Sequence, residues 1–136
     1  MTLAWGAGFR YNRATIWVYY MTVRDCLKRL EAEVVVGEEG LDRNVESVAA
    51  SDLLSDVLAT HKHNFLLLTG LCTPQVVRTA ELMGGVGIVF CRGKYPPQDA
   101  IGMAKVHGIP LLCTRLQLFE ACCRLAGLGL EKEQQA

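Results

Sequence analysis

From residue 21 onward, short runs rich in β-branched and aliphatic residues alternate with segments whose apolar positions recur at helical spacing. The runs predict strands at Glu33 to Val36, Val45 to Ala50, Phe65 to Thr69, Val86 to Cys91 and Pro110 to Cys113. Val23, Cys26, Leu27 and Leu30 share one face of a first helix that Thr22 can cap. Further helices are predicted at Asp52 to Thr60, Pro74 to Met83, Pro97 to His107 and Leu116 to Leu125. The punctuation agrees: Thr73-Pro74 is a cap followed by proline at the first helical position, Gly84-Gly85 and Gly108 sit where left-handed C-caps are wanted, and Thr114 can cap the last helix. This alternation predicts a three-layer α/β domain, a mainly parallel five-stranded sheet with helices on both faces. Right-handed crossovers then gather the loops after the strands along one edge of the sheet, where ligands of open α/β sheets bind.

The pattern changes at Met21. Residues 1 to 20 carry Trp5, Phe9, Tyr11, Trp17, Tyr19 and Tyr20, most of the chain's aromatics, and read as an N-terminal extension. It is either a non-native start or loosely held arm, or an aromatic strand at Thr15 to Tyr20 that packs between subunits. Residues 21 to 130 are then the domain and 131 to 136 a polar tail.

The bulk numbers narrow the function classes. At 136 residues with 51% apolar, the chain can bury one continuous core without metal or disulfide staples. Lys+Arg and Asp+Glu stand at 14 each and no stretch gathers like charges, so the clustered positive charge that binds nucleic acid is missing. The six cysteines lack the spacing of a disulfide framework, which fits a reducing cytoplasm. No apolar run approaches the roughly 18 to 20 residues that cross a bilayer. A soluble protein with neither nucleic-acid nor membrane partner is expected.

The predicted loop edge carries Ser51-Asp52, Thr69 to Thr73, Arg92-Gly93-Lys94 and Thr114-Arg115. Helices starting beside it would aim unpaired N–H groups at the edge, and Arg92 and Lys94 add positive charge. A small anionic ligand, such as a nucleotide or an acyl phosphate, is the natural hypothesis. Its candidate residues are Ser51, Asp52, Asp56, Thr69, Gly70, Thr73, Arg92, Gly93, Lys94 and Thr114. The plainer alternative is that Ser51, Thr73 and Thr114 are ordinary caps and that Arg92 and Lys94 are solvated charges pairing with Asp52 or Asp56.

Enzyme chemistry finds little support. Asp52 and Asp56 lie four apart on the predicted helix, so on one face, and could share acid and base roles, but no nucleophile with a nearby histidine accompanies them. Gly87 to Lys94 superficially matches a phosphate-binding P-loop. Five residues rather than four separate Gly87 from Gly93, and Tyr95 stands where Ser or Thr belongs. Cys72, Cys91 and Cys113 end neighbouring strands and could meet around a metal, yet adjacent positions at a strand end point to opposite faces. His61, His63 and His107 follow helices, where positive charge meets the helix C-terminus favourably. No enzyme activity, metal or cofactor is expected.

The run Ala49-Ala50-Ser51-Asp52-Leu53-Leu54-Ser55-Asp56-Val57-Leu58-Ala59 resembles small stand-alone DRTGG-domain proteins. So do Leu68-Thr69-Gly70 with Gln75 and Ala80, Ile88-Val89-Phe90 with Gly93-Lys94, Gly108-Ile109-Pro110-Leu111, Thr114 and Phe119-Glu120. The likeness spans about Val23 to Leu130, and the string that names the family is absent from this chain. It implies a fold similar to the N-terminal, non-kinase domain of HPr kinase/phosphorylase and a regulatory accessory role, as beside CBS domains, in phosphotransacetylases and in pyrophosphatases. On the same likeness Ser55 and Gln75 join the ligand-binding candidates. The competing reading is a protein-interaction module, a homodimer or higher homo-oligomer or an accessory to a metabolic enzyme. Leu118, Leu125, Leu128 and Leu130, with the aromatic extension, would supply its surface.

Overall fold

The computed structural model describes residues 9–11, 17–19 and 21–126. Strands β1 (Phe9–Tyr11) and β2 (Trp17–Tyr19) pair antiparallel, so part of the aromatic segment is a hairpin. Of the strand expected over Thr15 to Tyr20, Trp17–Tyr19 is a strand, and Thr15, Ile16 and Tyr20 lie outside the described residues. Leu128, Leu130 and the 131 to 136 tail lie outside the described residues.

Strand β3 (Met21–Thr22) leads into helix α1 (Val23–Arg29) through a capping box. The Thr22 hydroxyl accepts from the Asp25 N–H at 3.1 Å, and the Asp25 carboxylate accepts from the Thr22 N–H at 3.0 Å. Then come β4 (Glu33–Val36), a 3₁₀ turn at Glu38–Gly40, β5 (Asn44–Val45), β6 (Ser47–Ala50), α2 (Leu54–Leu58) and β7 (Phe65–Thr69). They are followed by α3 (Pro74–Leu82), β8 (Gly87–Phe90), α4 (Gln98–His107), β9 (Leu111–Cys113) and α5 (Leu118–Leu125).

Five strands form one sheet in the order β4-β9-β8-β7-β6, with β6 to β9 parallel and β4 antiparallel to β9. The parallel strands follow one another in sequence order, so right-handed crossovers put α2, α3 and α4 on one face. There Val57, Val76, Val77, Ala80, Ala100, Ile101 and Ala104 pack against Phe65, Leu67, Ile88, Phe90 and Leu111. Helices α1 and α5 cover the other face, with Val23, Cys26, Ala121 and Leu125 against Leu66, Leu68, Val89, Cys91 and Leu112. Successive residues of β7 and β8 thus feed opposite cores. Because both faces are covered these strands read as unbroken apolar runs, and the side chains of Leu66, Leu67 and Leu68 are fully buried, each stabilising by about 1.5–3 kcal/mol. The turn out of β4 depends on Gly37, whose φ of +91° and approach to Pro110 leave no room for a side chain. A Cβ there would lie 2.6 Å from the Pro110 Cα.

Three expected elements differ from those observed. The strand expected over Val45 to Ala50 is two: β5 pairs antiparallel with β3, and only Ser47–Ala50 joins the main sheet. The helix expected to start at Asp52 starts at Leu54, because the side chains of Ser51 and Asp52 are engaged in the preceding turn and with β7. The last helix starts at Leu118 with Gln117 as its cap, and the Thr114 hydroxyl is used elsewhere. Pro74, the left-handed Gly84 and the Gly108 C-cap stand where expected. No described helix is long and apolar enough to cross a membrane.

Candidate functional site

Strands β6 to β9 end at Ala50, Thr69, Phe90 and Cys113 along one rim of the sheet, with Thr69, Phe90 and Cys113 in register. The loops that leave them are joined in two different ways.

Between β6 and β7 one main-chain bond, from the Ser51 N–H to the Leu68 carbonyl at 3.1 Å, is followed by a side-chain joint. Asp52 lies just before α2, and its Oδ1 accepts from the Gly70 N–H at 2.6 Å and from the Thr69 hydroxyl at 3.2 Å. The Thr69 oxygen in turn accepts from the Leu71 N–H at 3.0 Å. The Ser51 hydroxyl accepts from the Leu53 N–H at 3.0 Å and donates to Asp56 Oδ2 at 3.2 Å. Gly70 permits this arrangement: a Cβ there would stand 2.7 Å from Arg92 Nη2 and 3.4 Å from Asp52 Oδ1, so the two side chains face each other across it. They form no ion pair.

Between β8 and β9 the joints are main chain. The Arg92 N–H donates to the Leu116 carbonyl at 2.8 Å and the Gly93 N–H to the Thr114 carbonyl at 2.9 Å. Arg92 and Gly93 both take left-handed conformations, φ +63° and +71°, which turn their amides toward the neighbouring loop. Thr114 is 3% exposed; its hydroxyl donates to the Leu30 carbonyl at 2.7 Å and accepts from the Leu116 N–H at 3.3 Å. Helix α4, after β8, lies on one face and α5, after β9, on the other, so the crevice expected where connections change sides falls between these strands. The two backbone bonds bridge it, and the exposed cations of the rim stand beside the bridge, toward Gly70.

Those cations are Arg92 and Lys94. Both are exposed, and neither side chain makes a hydrogen bond or ion pair among the described residues. They share the neighbourhood of Cys72: burial pushes its thiol pKa up, while Lys94 and then Arg92 pull it down. Tyr95, next along the same loop, is 66% exposed. Tyr95 is not among the residues the sequence singles out; its signal there is an aromatic between Gly-Lys and Pro-Pro in a strand-to-helix loop.

The structure therefore brings Ser51, Asp52, Asp56, Thr69, Gly70, Arg92, Gly93 and Lys94 to one rim. Thr73 sits at the α3 cap position without a side-chain cap bond, and Ser55 and Gln75 are exposed with no side-chain hydrogen bond among the described residues. Thr114 is turned inward. The acid-base reading of Asp52 and Asp56 loses its geometry, since Asp52 is not on the helix and each carboxylate has a structural partner. The cysteines divide as strand alternation requires. Cys91 faces the α1/α5 core and has its pKa pushed to about 11, by burial first and then by Cys122 and Asp52. Cys113 packs on the opposite core and is also pushed to about 11, by burial and then Cys72 and Glu33. No group of three metal-ligating side chains occurs among the described residues.

No family model and no curated protein matches the chain. Among solved structures, the chain is similar to the CBS and DRTGG domains of the regulatory region of Clostridium perfringens pyrophosphatase, determined in complex with its activator, diadenosine tetraphosphate. The TM-score is 0.60 at 14% sequence identity, over 80% of this chain and 47% of that one. The chain thus spans about half the length of that neighbour, and at this identity the likeness is one of fold.

Proposed function

We propose that this chain is a regulatory domain without catalysis of its own, which binds a phosphate-bearing ligand of the nucleotide class at the rim beside Gly70. The observation that carries the reading is the pair of exposed cations, Arg92 and Lys94, without ion-pair partners among the described residues, on a loop anchored to the loop after β9 by two backbone bonds. A fixed loop presenting unneutralised positive charge is organised for a phosphate, because little ordering remains to be done on binding. Tyr95 on the same loop offers an aromatic face to a base. The fold likeness supports the regulatory half, since the neighbour is a regulatory region crystallised with a nucleotide activator. The resemblance to DRTGG domains and to the N-terminal domain of HPr kinase/phosphorylase points the same way.

The test is a calorimetric and thermal-shift series with AMP, ATP, diadenosine tetraphosphate, inorganic pyrophosphate and acetyl phosphate. A ligand of this class should bind and raise stability by mass action, by about 2.7 kcal/mol at a hundredfold excess over its Kd. Arg92→Ala with Lys94→Ala should weaken binding at least tenfold. The reading is wrong if none of the five binds, or if the double variant binds as well as the parent.

A further inference from the structure

The Gly70 amide and the Thr69 hydroxyl, side by side at the end of β7 and facing Arg92, are the donors a rim of this kind would offer to an anion, and they already hold one. Asp52 Oδ1 sits 2.6 Å from the Gly70 nitrogen, the short end of the range for an amide donating to a carboxylate, and 3.2 Å from the Thr69 oxygen. The Arg92 guanidinium stands on the other side of the space a Gly70 side chain would fill. A ligand phosphate drawn by Arg92 and Lys94 would meet a carboxylate already in the place where its own oxygens find donors.

That carboxylate is lightly held from behind. Asp52 is exposed, Leu53 is 60% exposed, and α2 is a five-residue helix whose one fully buried side chain is Val57. The segment is tied to β7 by the Ser51 N–H on the Leu68 carbonyl and to itself by the Ser51 hydroxyl on the Leu53 N–H. Swinging Asp52 and Leu53 out leaves the core packing of Leu54 and Val57 in α2 in place. We propose that Asp52 is a built-in occupant of the phosphate seat, displaced when ligand enters, so that the empty site is self-inhibited and its filling is reported by movement of residues 51 to 53. This rests on the binding reading above and adds its regulation: the same event that seats a phosphate would free a carboxylate next to the edge strand β6.

The experiment is calorimetry with ATP and with inorganic pyrophosphate on the full chain and on Asp52→Ala and Asp52→Asn, with circular dichroism to verify folding. It is paired with amide NMR of the unmodified chain during the ATP titration. Removing the resident charge should tighten binding about tenfold in Asp52→Ala, and the amides of Ser51, Leu53 and Gly70 should shift together as the unmodified chain saturates. If the unmodified chain binds while Asp52→Ala binds no more tightly, or while the Ser51 and Leu53 amides stay in place, Asp52 is not the occupant and the binding reading stands without it. Failure of both probes on all three proteins removes this inference, and the binding reading then falls or stands with AMP, diadenosine tetraphosphate and acetyl phosphate. Because the NMR arm uses the unmodified chain, an unfolded variant leaves a decisive result.

Discussion

The two halves of the rim are made of similar residues and held in opposite ways. Between β8 and β9 the loops are joined by two main-chain hydrogen bonds, and the buried Thr114 hydroxyl beside them ties the second loop to Leu30. Between β6 and β7 the joint beyond the strand ladder is the side chain of Asp52, an exposed residue in a segment otherwise braced by exposed bonds of Ser51 to Leu53 and Asp56. The difference in cost is physical: a buried group left without its partner loses its full desolvation penalty, while an exposed one is rehydrated. One half is therefore a fixed platform that presents Arg92 and Lys94, and the other is a part that can be moved.

The strongest blow to this contrast is struck at the platform. Thr114→Val keeps the shape and removes the hydroxyl, leaving the Leu30 carbonyl buried and unpaired. Urea denaturation should show a loss of about 1–3 kcal/mol, and a loss below about 0.5 kcal/mol would mean the platform is no better fixed than its neighbour. Gly70→Ala acts on the boundary between the halves. The added methyl meets the flexible end of Arg92 rather than backbone, so stability should fall by less than about 1 kcal/mol while affinity for a bound phosphate drops as the guanidinium is pushed aside. Equal affinity with and without the methyl would place the ligand elsewhere. Ser51→Ala, in the movable half, should cost no more than about 0.5 kcal/mol, since its bonds lie at the surface. A cost matching that of Thr114→Val would erase the distinction.

A subtler comparison uses the thiols. Cys26 has its pKa pushed to about 12 by burial and then by Asp25, and Cys91 and Cys113 to about 11. Each favours the protonated, folded form, so their contribution to stability is fully present below the unfolded value near 9 and is lost as pH rises toward 11 to 12. Melts across pH 8 to 12 should show stability level at first and then falling; a rise would contradict the burial of these thiols. Cys72 differs because Lys94 and Arg92 oppose the effect of burial there. Arg92→Ala with Lys94→Ala should slow its alkylation at pH 8, and an unchanged rate would separate the cations from this part of the rim.

The sheet was legible in the sequence because its central strands are covered on both faces: Phe65 to Thr69 and Gly87 to Phe90 are apolar without interruption, and Pro74 and Gly108 mark adjoining helix ends through backbone chemistry that acts locally. What could not be read is what a polar side chain does at a distance. Thr114 has the local look of a helix cap, yet its hydroxyl bonds Leu30, 84 positions away. Asp52 has the look of a first-turn acid, yet it holds Gly70, 18 positions away. Asn44–Val45 continues an apolar run toward Ala50 but pairs with Met21–Thr22 instead. The residues of the rim were named from its chain order; the division between fixed and movable partners needed the third dimension.

A crystal structure of the chain grown with ATP tests the phosphate seat most directly. Phosphate density beside Gly70, within hydrogen-bonding distance of Arg92 and Lys94, is the expected result. Density at another surface of the domain, with the rim unchanged while ATP binds in solution, would contradict it.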